Sequence, residues 1–306
     1  MRSDNASELP KVAVIIPVYN DDARLTLCLE ALKRQSFPEH NFEVLVVDNG
    51  PSEGVRKICA AWPNVRYLVE ERRGSYAARN TGLQHIRAAT IVAFLDSDCL
   101  PKADWLSLGV ARLRSMEKCD FLGGRVQIFV RNPAKQSVAE LYERVVAFPQ
   151  KKYVEEGGWA VTANLFVRSY VFDSVGNFDD TLQSGGDMEW GKRATKAGMR
   201  LCYADDVVVR HPARAKTAEL RNKVQRVAGG SYARLVKKSP SFYAFARKLV
   251  KDLLIWKRDV RKRIQTSQLG AMDKGRVYAL WGYLKYVRFK EFIRLRIASR
   301  RGVYNK

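Results

Sequence analysis

Residues 12–18 have the sequence VAVIIPV, a continuous run of apolar and mostly β-branched side chains. Such a run is typical of a strand buried on both faces. The segments FEVLVV (42–47), VRYLV (65–69) and IVAFL (91–95) extend this pattern, and patterns typical of helices separate them. Strand and helix alternate four times in about 115 residues, which predicts a parallel, doubly wound α/β sheet flanked by helices.

Polar residues follow several of these predicted strands. Asn20, Asp48, Asp96 and Asp98 stand at or just beyond the strand ends, where sheets of this class bind their ligands. Two carboxylates at positions i and i+2 of a turn can hold one hard divalent cation, Mg²⁺ or Mn²⁺, which shares them with substrate phosphates. The alternative for Asp96-Ser97-Asp98 is a solvated turn that caps a helix.

Other polar residues near these ends have two interpretations each. Asp48 suits an acceptor for the imide N–H of a uracil, or an ordinary turn before Gly50. The basic segment 72–74 and Arg79 suit a diphosphate, because guanidinium groups and exposed backbone amides bind anions. The alternative is a basic loop that caps a helix.

A second group follows a Gly-Gly pair at 185–186. Asp187 suits a general base beside a closely approaching backbone, and it equally suits a helix N-cap. Trp190 could stack on a sugar or face the core, and Arg193 could face the site or the solvent. His211 suits a third ligand of a manganese site or a structural turn residue before proline.

The charge of the chain is unevenly distributed. The 306 residues carry a formal net charge of +22 and are 46% hydrophobic, a globular composition. Residues 1–213 contain 28 basic and 27 acidic residues, whereas residues 214–306 contain 26 basic and 5 acidic residues. This excludes a uniformly basic protein and predicts two parts, a near-neutral domain at 1–213 and a basic helical region at 214–306.

The basic region is predicted to form helices at about 217–237, 241–264 and 275–298. In the last two helices apolar and aromatic residues share one face, with lysine and arginine beside them, which suits an anionic membrane surface. The alternative is that the apolar stripes only pack against the protein. The stripe of the middle helix consists of Phe242, Phe245, Leu249, Leu253, Trp256, Val260 and Ile264.

The cysteines and the N-terminal residues point to a compartment. Five cysteines without metal-ligand spacing predict free thiols in a reducing environment. The first 12 residues lack the apolar segment of a signal peptide, and no apolar run approaches the roughly 20 residues of a membrane-spanning helix. We therefore expect a cytoplasmic protein, peripheral on the inner face of the cell membrane.

Six features of the sequence resemble, in order and spacing, the family-2 glycosyltransferases of GT-A fold. They are VAVIIPVYN, VLVVDNG, RRGSYAARNTG, IVAFLDSD, GGDMEWGKR and a later histidine. The resemblance covers residues 11–213. It implies a nucleotide-sugar part at 11–120, an acceptor part at 121–213, and transfer of a sugar from a nucleotide-diphosphate donor, usually a UDP-sugar, with inversion. The expected partners are that donor, an unidentified glycan or lipid-linked acceptor, and a Mn²⁺ or Mg²⁺ cofactor.

The resemblance also implies a role for individual residues. Asp187 would be the catalytic base, Asp98 and His211 would bind the metal, and Glu189 and Trp190 would contact the acceptor. Gly186 stands where the family usually has Glu, so Glu189 is a second candidate for the base, although Asp187 is favoured. The nucleotide-sugar contacts would be Pro17, Val18, Asn20, Asp48, Arg79, Asp96 and Arg193.

Two other functions are compatible with parts of the sequence. A nucleotidyltransferase of similar fold usually has a Gly-rich basic loop after the first strand, which residues 18–21 are not. A nucleic-acid-binding protein could use the basic region, but this leaves the six ordered motifs without a role. We therefore favour a metal-dependent glycosyltransferase, with a part in cell-surface glycan, polysaccharide or glycolipid synthesis, and expect no nucleic-acid partner.

Overall fold

The computed structural model of the protein describes residues 9–116, 118–238 and 241–300. Its first four strands pair in parallel in the order β3-β2-β1-β4, and β1 and β4 are almost fully buried. The apolar runs therefore form strands, as predicted, with β1, β2 and β4 in the interior of the sheet and β3 at its edge. These strands are β1 (Val12–Val18), β2 (Phe42–Asp48), β3 (Val65–Val69) and β4 (Ile91–Leu95).

Helices connect these strands, and local chemistry fixes where they begin. The Ser52 side chain accepts a hydrogen bond of 3.2 Å from the backbone N–H of Val55 and caps α2. Helix α3 lies so close to β1 that a Cβ on Gly82 would be 2.6 Å from the Ile15 side chain. The helices are α1 (Asp22–Lys33), α2 (Glu53–Ala60), α3 (Ser75–Gln84) and α4 (Trp105–Ser115), with a 3-10 turn at Glu39–Asn41.

The second half of the sheet is mixed. The order continues from β4 as β7-β6-β8-β5, and the pairs β4–β7, β6–β7 and β5–β8 are antiparallel. The prediction of a mostly parallel sheet thus holds for the first four strands only. The added strands are β5 (Leu100–Pro101), β6 (Phe121–Phe129), β7 (Asn164–Arg168) and β8 (Leu201–Pro212), and the helices near them are α6 (Gln150–Glu155), α7 (Tyr170–Val175) and α8 (Gly186–Lys196).

The chain divides into two compact units. One takes in the chain up to Gln127 together with Pro149–Asp180 and Gly186–His211, and the other takes in Ile128–Phe148, Thr181–Gly185 and the chain from Pro212 onward. The domain boundary at residue 213 stays a prediction.

The second unit is helical and has its own apolar core. The three C-terminal helices form as predicted, and α5 (Val138–Val146) packs with them. Phe245, Val260 and Ile264 of the predicted stripe are buried, whereas the side chains of Phe242, Leu253 and Trp256 lie outside the described residues. The C-terminal helices are α9 (Thr217–Lys238), α10 (Phe242–Thr266) and α11 (Ala271–Arg300).

A buried carboxylate joins α5 to the start of the basic region. The side chain of Glu143 is 1% exposed and contacts Lys223 Nζ at 2.8 Å and Arg214 Nη1 at 2.9 Å. Burial alone would raise the pKa of Glu143, but the two cations and their hydrogen bonds outweigh it and lower that pKa to about 2. Part of the basic excess therefore neutralises an acidic group inside this unit.

The prediction of five free thiols is wrong for two of the cysteines. Cys119, just before β6, and Cys202, in β8, form a disulfide, whereas Cys28, Cys59 and Cys99 are free and buried. The two cysteines are 83 positions apart in the chain, so no local spacing of cysteines predicts this disulfide. Within the described residues, no helix combines the length and apolar character that crossing a lipid bilayer requires.

Candidate functional site

The two predicted metal ligands lie side by side. Asp98 follows β4 and His211 lies at the end of β8, and His211 Nε2 is 3.6 Å from Asp98 Oδ2. His211 is 3% exposed, and Arg24 Nη1 lies 3.8 Å from the same carboxylate oxygen. The thiol of Cys99 completes a group whose ligand atoms lie within 4.8 Å of one another. Burial raises the pKa of that thiol well above its usual range, so it stays protonated at neutral pH.

A carboxylate and an imidazole placed this way fit a divalent cation. Oxygen and nitrogen ligands are those that Mn²⁺ and Mg²⁺ take in proteins, and the strand ends leave further positions to a substrate. Asp98 and His211 could therefore hold such an ion.

The other carboxylate of the Asp-Ser-Asp turn is engaged by a buried arginine. Arg79 on α3 is 3% exposed, and its Nη2 donates a 2.5 Å hydrogen bond to Asp96 Oδ1. Nη1 donates to the carbonyl oxygen of Ser75, whereas Nε is buried and meets no acceptor among the described residues. A buried donor without a partner costs roughly 1–3 kcal/mol, so this guanidinium is poised for an additional oxygen.

The candidate base lies at the first turn of α8. Asp187 Oδ1 accepts hydrogen bonds from Tyr76 Oη at 3.2 Å and from the backbone N–H of Met188 at 2.9 Å. Burial raises the pKa of the Asp187 carboxyl, and the nearby charge of Arg79 opposes this rise. Oδ2 accepts no hydrogen bond from any residue that the structure describes, which leaves this oxygen available to accept a proton.

Tyr76 connects the candidate base to the strand-end residues. Its hydroxyl binds Asp187, and the guanidinium carbon of Arg79 lies 5.7 Å from the centre of its ring. A continuous series of contacts therefore runs from Asp187 through Tyr76 and Arg79 to Asp96. Tyr76 is not among the predicted site residues, although its position three residues before Arg79 puts both on one side of α3.

Asp48 is fully buried at the end of β2 and has several protein partners. Its carboxylate accepts hydrogen bonds from the backbone N–H groups of Gly50 and Ser52 and from Tyr67 Oη, at 3.0–3.2 Å. Burial, and then the charge of Asp48, raise the pKa of Tyr67 to about 12, so the phenol remains a donor. These contacts fit the turn interpretation, and the contact with a nucleobase stays a prediction.

Asn49 fixes the basic loop that precedes α3. Its amide nitrogen donates to the carbonyl oxygens of Glu70 and Arg72, and its amide oxygen accepts from the N–H of Gly74. Gly74 has φ +136°, a conformation that glycine adopts without strain. This role of Asn49 is not predictable from the sequence, because Asn-Gly after a strand predicts only a turn.

The residues at the end of β1 lie where the prediction put them. Pro17 is half-buried, Val18 is buried, and Asn20 is exposed. Tyr19 is 54% exposed, and its ring covers Gly50, where a Cβ would be 2.7 Å from Tyr19 Cδ2. The part of these residues in binding a nucleotide stays a prediction.

Three residues of α8 have structural contacts. Trp190 is 0% exposed, its indole N–H binds the carbonyl oxygen of Gly176, and its ring packs on three phenylalanines. The prediction that Trp190 contacts the acceptor is therefore wrong, because its ring belongs to the core. Glu189 and Arg193 form an ion pair of 3.0 Å, and Arg193 also binds two backbone carbonyls. Their parts in binding substrate stay predictions.

Comparison with known proteins shows the family of this chain. The family model described as Glycosyl transferase family 2 matches residues 13–164. Glycosyltransferase AglE of Haloferax volcanii is 44% identical over 229 residues, which cover 73% of this chain and 74% of that protein. The chain belongs to glycosyl transferase family 2. A pre-mycofactocin glycosyltransferase of Mycobacterium tuberculosis is 31% identical over 75% of this chain and 48% of that protein.

Solved structures agree with the fold of this family 2 glycosyltransferase. Mannosyltransferase PcManGT from Pyrobaculum calidifontis, solved with GDP-Man and Mn²⁺, matches with a TM-score of 0.61 and 18% identity over 95% of this chain and 88% of its own. TarS of S. aureus in complex with UDP matches with a TM-score of 0.53 and 19% identity over 97% and 93%. The predicted GT-A fold is confirmed.

Proposed function

We propose that this glycosyltransferase moves a sugar from a nucleoside-diphosphate sugar, with uridine as the nucleoside, to a hydroxyl group with inversion of the anomeric centre. The observation that carries the proposal is the continuous polar series from Asp96 through Arg79 and Tyr76 to Asp187. This series links the end of β4, where the donor would bind, to Oδ2 of Asp187, where a proton can be accepted.

The donor end of this series suits a diphosphate. Arg79 is a buried cation with an unused N–H, and charge-assisted hydrogen bonds to phosphate oxygens are strong. Asp98 and His211 would hold a divalent cation next to it. When bound there, that ion supplies positive charge that balances the charge growing on the leaving diphosphate. The relatives of similar fold that were solved with GDP-Man and Mn²⁺ or with UDP support this assignment.

Asp187 would act on the acceptor. Its Oδ2 takes the proton of the acceptor hydroxyl while the hydroxyl oxygen bonds to the anomeric carbon and the bond from that carbon to the diphosphate breaks. Tyr76 and the N–H of Met188 hold Oδ1, so the carboxylate is oriented before the acceptor arrives. The elevated pKa of Asp187 makes it a stronger base than an exposed aspartate.

The donor half of the proposal is tested by thermal unfolding with UDP, GDP and Mn²⁺. We expect UDP with Mn²⁺ to stabilise the protein, by about 2.7 kcal/mol when the ligand is at a hundredfold its Kd. Asp98→Ala should abolish this effect, whereas Asp104→Ala, an exposed carboxylate six residues away, should not. A shift with GDP but none with UDP would refute the uridine assignment, and no shift with either would refute the donor class.

The role of Asp187 is tested by turnover. A screen of UDP-sugars for hydrolysis or transfer first identifies the donor, and Asp187→Asn should then lower kcat about 10²–10⁴-fold, the usual range for a general base. The UDP-induced thermal shift of that variant should stay unchanged. If Asp187→Asn turns over normally and Glu189→Gln does not, the base is Glu189.

We also propose that α11 rests on the anionic cytoplasmic face of the cell membrane, where the enzyme would act on a glycan or lipid-linked acceptor of cell-surface glycan, polysaccharide or glycolipid synthesis. Val277, Leu280 and Leu284 of this helix are buried, so its apolar stripe packs within the second unit. A different face is exposed, and it combines aromatic, aliphatic and cationic side chains at helical spacing. This outer face of α11 consists of Met272, Tyr283, Tyr286, Lys290 and Ile297.

Such a face suits the lipid interface, where aromatic rings sit at the headgroups and cations meet phosphates. Each basic residue near an anionic surface contributes about 1 kcal/mol. Lys290→Ala should therefore weaken cosedimentation with vesicles that contain phosphatidylglycerol about fivefold. Lys151→Ala, an exposed cation of the first unit, should change nothing. Strong salt-dependent binding of duplex DNA, with no binding to vesicles, would contradict the membrane proposal.

A further inference from the structure

Helix α6 and the loop that follows it, at 157–159, carry a pair of stacked aromatic rings. The ring centres of Tyr153 and Trp159 are 4.1 Å apart and the rings are inclined by 20°. The N–H groups of Gly157 and Trp159 both donate to the carbonyl oxygen of Tyr153, and Gly158 has φ +66°. These bonds fold the chain back on itself after α6, so the two rings are held together by the backbone.

This loop is attached to the helix that carries the candidate base. A Cβ on Gly191 would be 2.7 Å from Trp159 Cβ, so only glycine allows this approach, and Thr195 Oγ1 donates to the carbonyl oxygen of Gly158 at 3.3 Å. Gly191 is four residues after Asp187. Residues four apart share a helix face and are separated by about 6 Å along its axis. Trp159 therefore lies one turn from the base.

Trp159 is not a core residue. Its side chain is half-buried, and its indole N–H meets no acceptor among the residues that the structure describes. A half-buried tryptophan whose N–H has no protein partner presents an apolar surface with a polar edge, as at binding interfaces. This combination distinguishes Trp159 from Trp190, whose ring and N–H are both satisfied inside the protein.

We infer that Trp159, supported from behind by Tyr153, is the binding platform for a pyranose ring that bears the acceptor hydroxyl. The inference rests on the proposed function, because it takes Asp187 as the base. A pyranose matches the platform chemically: its C–H face is apolar and its rim carries hydroxyls, which fit the indole face and the indole N–H. A simple alcohol or a lipid phosphate lacks that face.

The position of the platform favours the acceptor over the donor sugar. Tyr76, which leads toward Arg79 and Asp96, holds Asp187 through Oδ1 at the first turn of α8. The Trp159 loop packs one turn further along the same helix. The base thus stands between the donor-side residues and the aromatic pair, as it must if it takes a proton from the acceptor.

Binding is tested without turnover by intrinsic fluorescence. Methyl β-glucoside, methyl α-mannoside and methyl N-acetyl-β-glucosaminide serve as pyranose probes, and glycerol serves as a polyol without a ring. We expect at least one glycoside to change the emission of the unaltered protein saturably, and this change to be lost in Trp159→Phe. It should persist in Trp62→Phe, a matched control in which another half-buried tryptophan, with Lys33 over its ring, is replaced.

Turnover then separates acceptor from donor binding. With the donor identified above, Trp159→Ala should raise the KM of the glycoside acceptor about tenfold, the scale of one good aromatic contact. Hydrolysis of the donor by water and the UDP-induced thermal shift should stay unchanged. Trp159→Phe, which keeps a ring but lacks the N–H, should fall between Trp159→Ala and the unaltered protein.

Each failure has its own signature. If Trp159→Ala lowers donor hydrolysis and the UDP shift as much as transfer, the ring serves the donor or the fold, and the inference is wrong. If glycerol competes as well as the glycosides, or no glycoside changes the emission, there is no pyranose platform. If UDP causes no thermal shift in the unaltered protein and no nucleotide-sugar is turned over, the proposed function is wrong. The fluorescence titration still decides whether Trp159 binds a sugar.

Discussion

Replacing Glu143 by Gln should destabilise the protein in a way that depends on pH. The carboxylate is 1% exposed and contacts Arg214 and Lys223 at 2.8–2.9 Å. Its pKa of about 2 in the folded protein lies below the ordinary value of 4.5. A difference of this size corresponds to about 3 kcal/mol of stability at pH 7, at 1.36 kcal/mol per unit of pKa. Because water reaches part of both cations, we expect Glu143→Gln to cost about 2–3 kcal/mol.

The sign of the pH dependence follows from the lowered pKa. The contribution of Glu143 is complete well above the unfolded pKa and disappears as the pH falls through the folded pKa. The difference between the unaltered protein and Glu143→Gln should therefore fall to about half its pH 7 value near pH 3. Urea unfolding followed by far-UV circular dichroism, at pH 7, 4 and 3, measures this difference.

The control is Glu155→Gln, which removes an exposed carboxylate 3.9 Å from Lys151. An exposed pair of this kind contributes about 0–1 kcal/mol, so the control variant should unfold almost as the unaltered protein does. Equal stability of Glu143→Gln and the control at pH 7 would refute the assignment of a stabilising buried ion cluster. A large difference that stays constant from pH 7 to 3 would refute the lowered pKa.

Two further substitutions test the proposed base and the packing of the core. Tyr76→Phe removes a hydrogen bond that lowers the pKa of Asp187. The acidic limb of the pH profile of kcat/KM should therefore move to higher pH. An unmoved limb would contradict the assignment of Asp187 as the base. Gly109→Ala puts a methyl group against the ring of Phe166 and should lower the free energy of unfolding by about 1–3 kcal/mol, measured by thermal unfolding. Gly282→Ala is the control, because a Cβ there meets nothing within 4 Å, and it should not destabilise the protein. Equal melting of the two variants would contradict the close packing at Gly109.

The first four strands could be predicted because their signal is local. The runs at 12–18 and 91–95 are continuously apolar and rich in β-branched residues, which is typical of a strand covered on both faces. The antiparallel insertion of β7 beside β4 has no such signal, since strand pairing between residues about 75 positions apart depends on the whole fold. The Cys119–Cys202 pair was missed for the same reason.

The candidate site was predictable where residue type limits the chemistry. Asp98 and His211 are ligand types, the resemblance to family-2 glycosyltransferases implies a metal site formed by both, and they lie 3.6 Å apart. Tryptophans carry no such information, because the same side chain suits a core and a sugar-binding surface. The sequence therefore predicts an acceptor contact for Trp190, which is fully buried, and gives no signal that distinguishes the half-buried Trp159.

The burial of Trp190 means that the orientation of Asp187 does not depend on the loop at 157–159. Its ring is locked among Phe121, Phe172 and Phe178, which anchors α8 and with it the orientation of Asp187. The loop at 157–159 approaches the same helix at the glycine at 191 and at Thr195. With the inferred acceptor platform in that loop, sequence drift or directed evolution there could exchange one acceptor for another while Asp187 and its contacts stay intact, which makes the loop the place to begin engineering a new acceptor range.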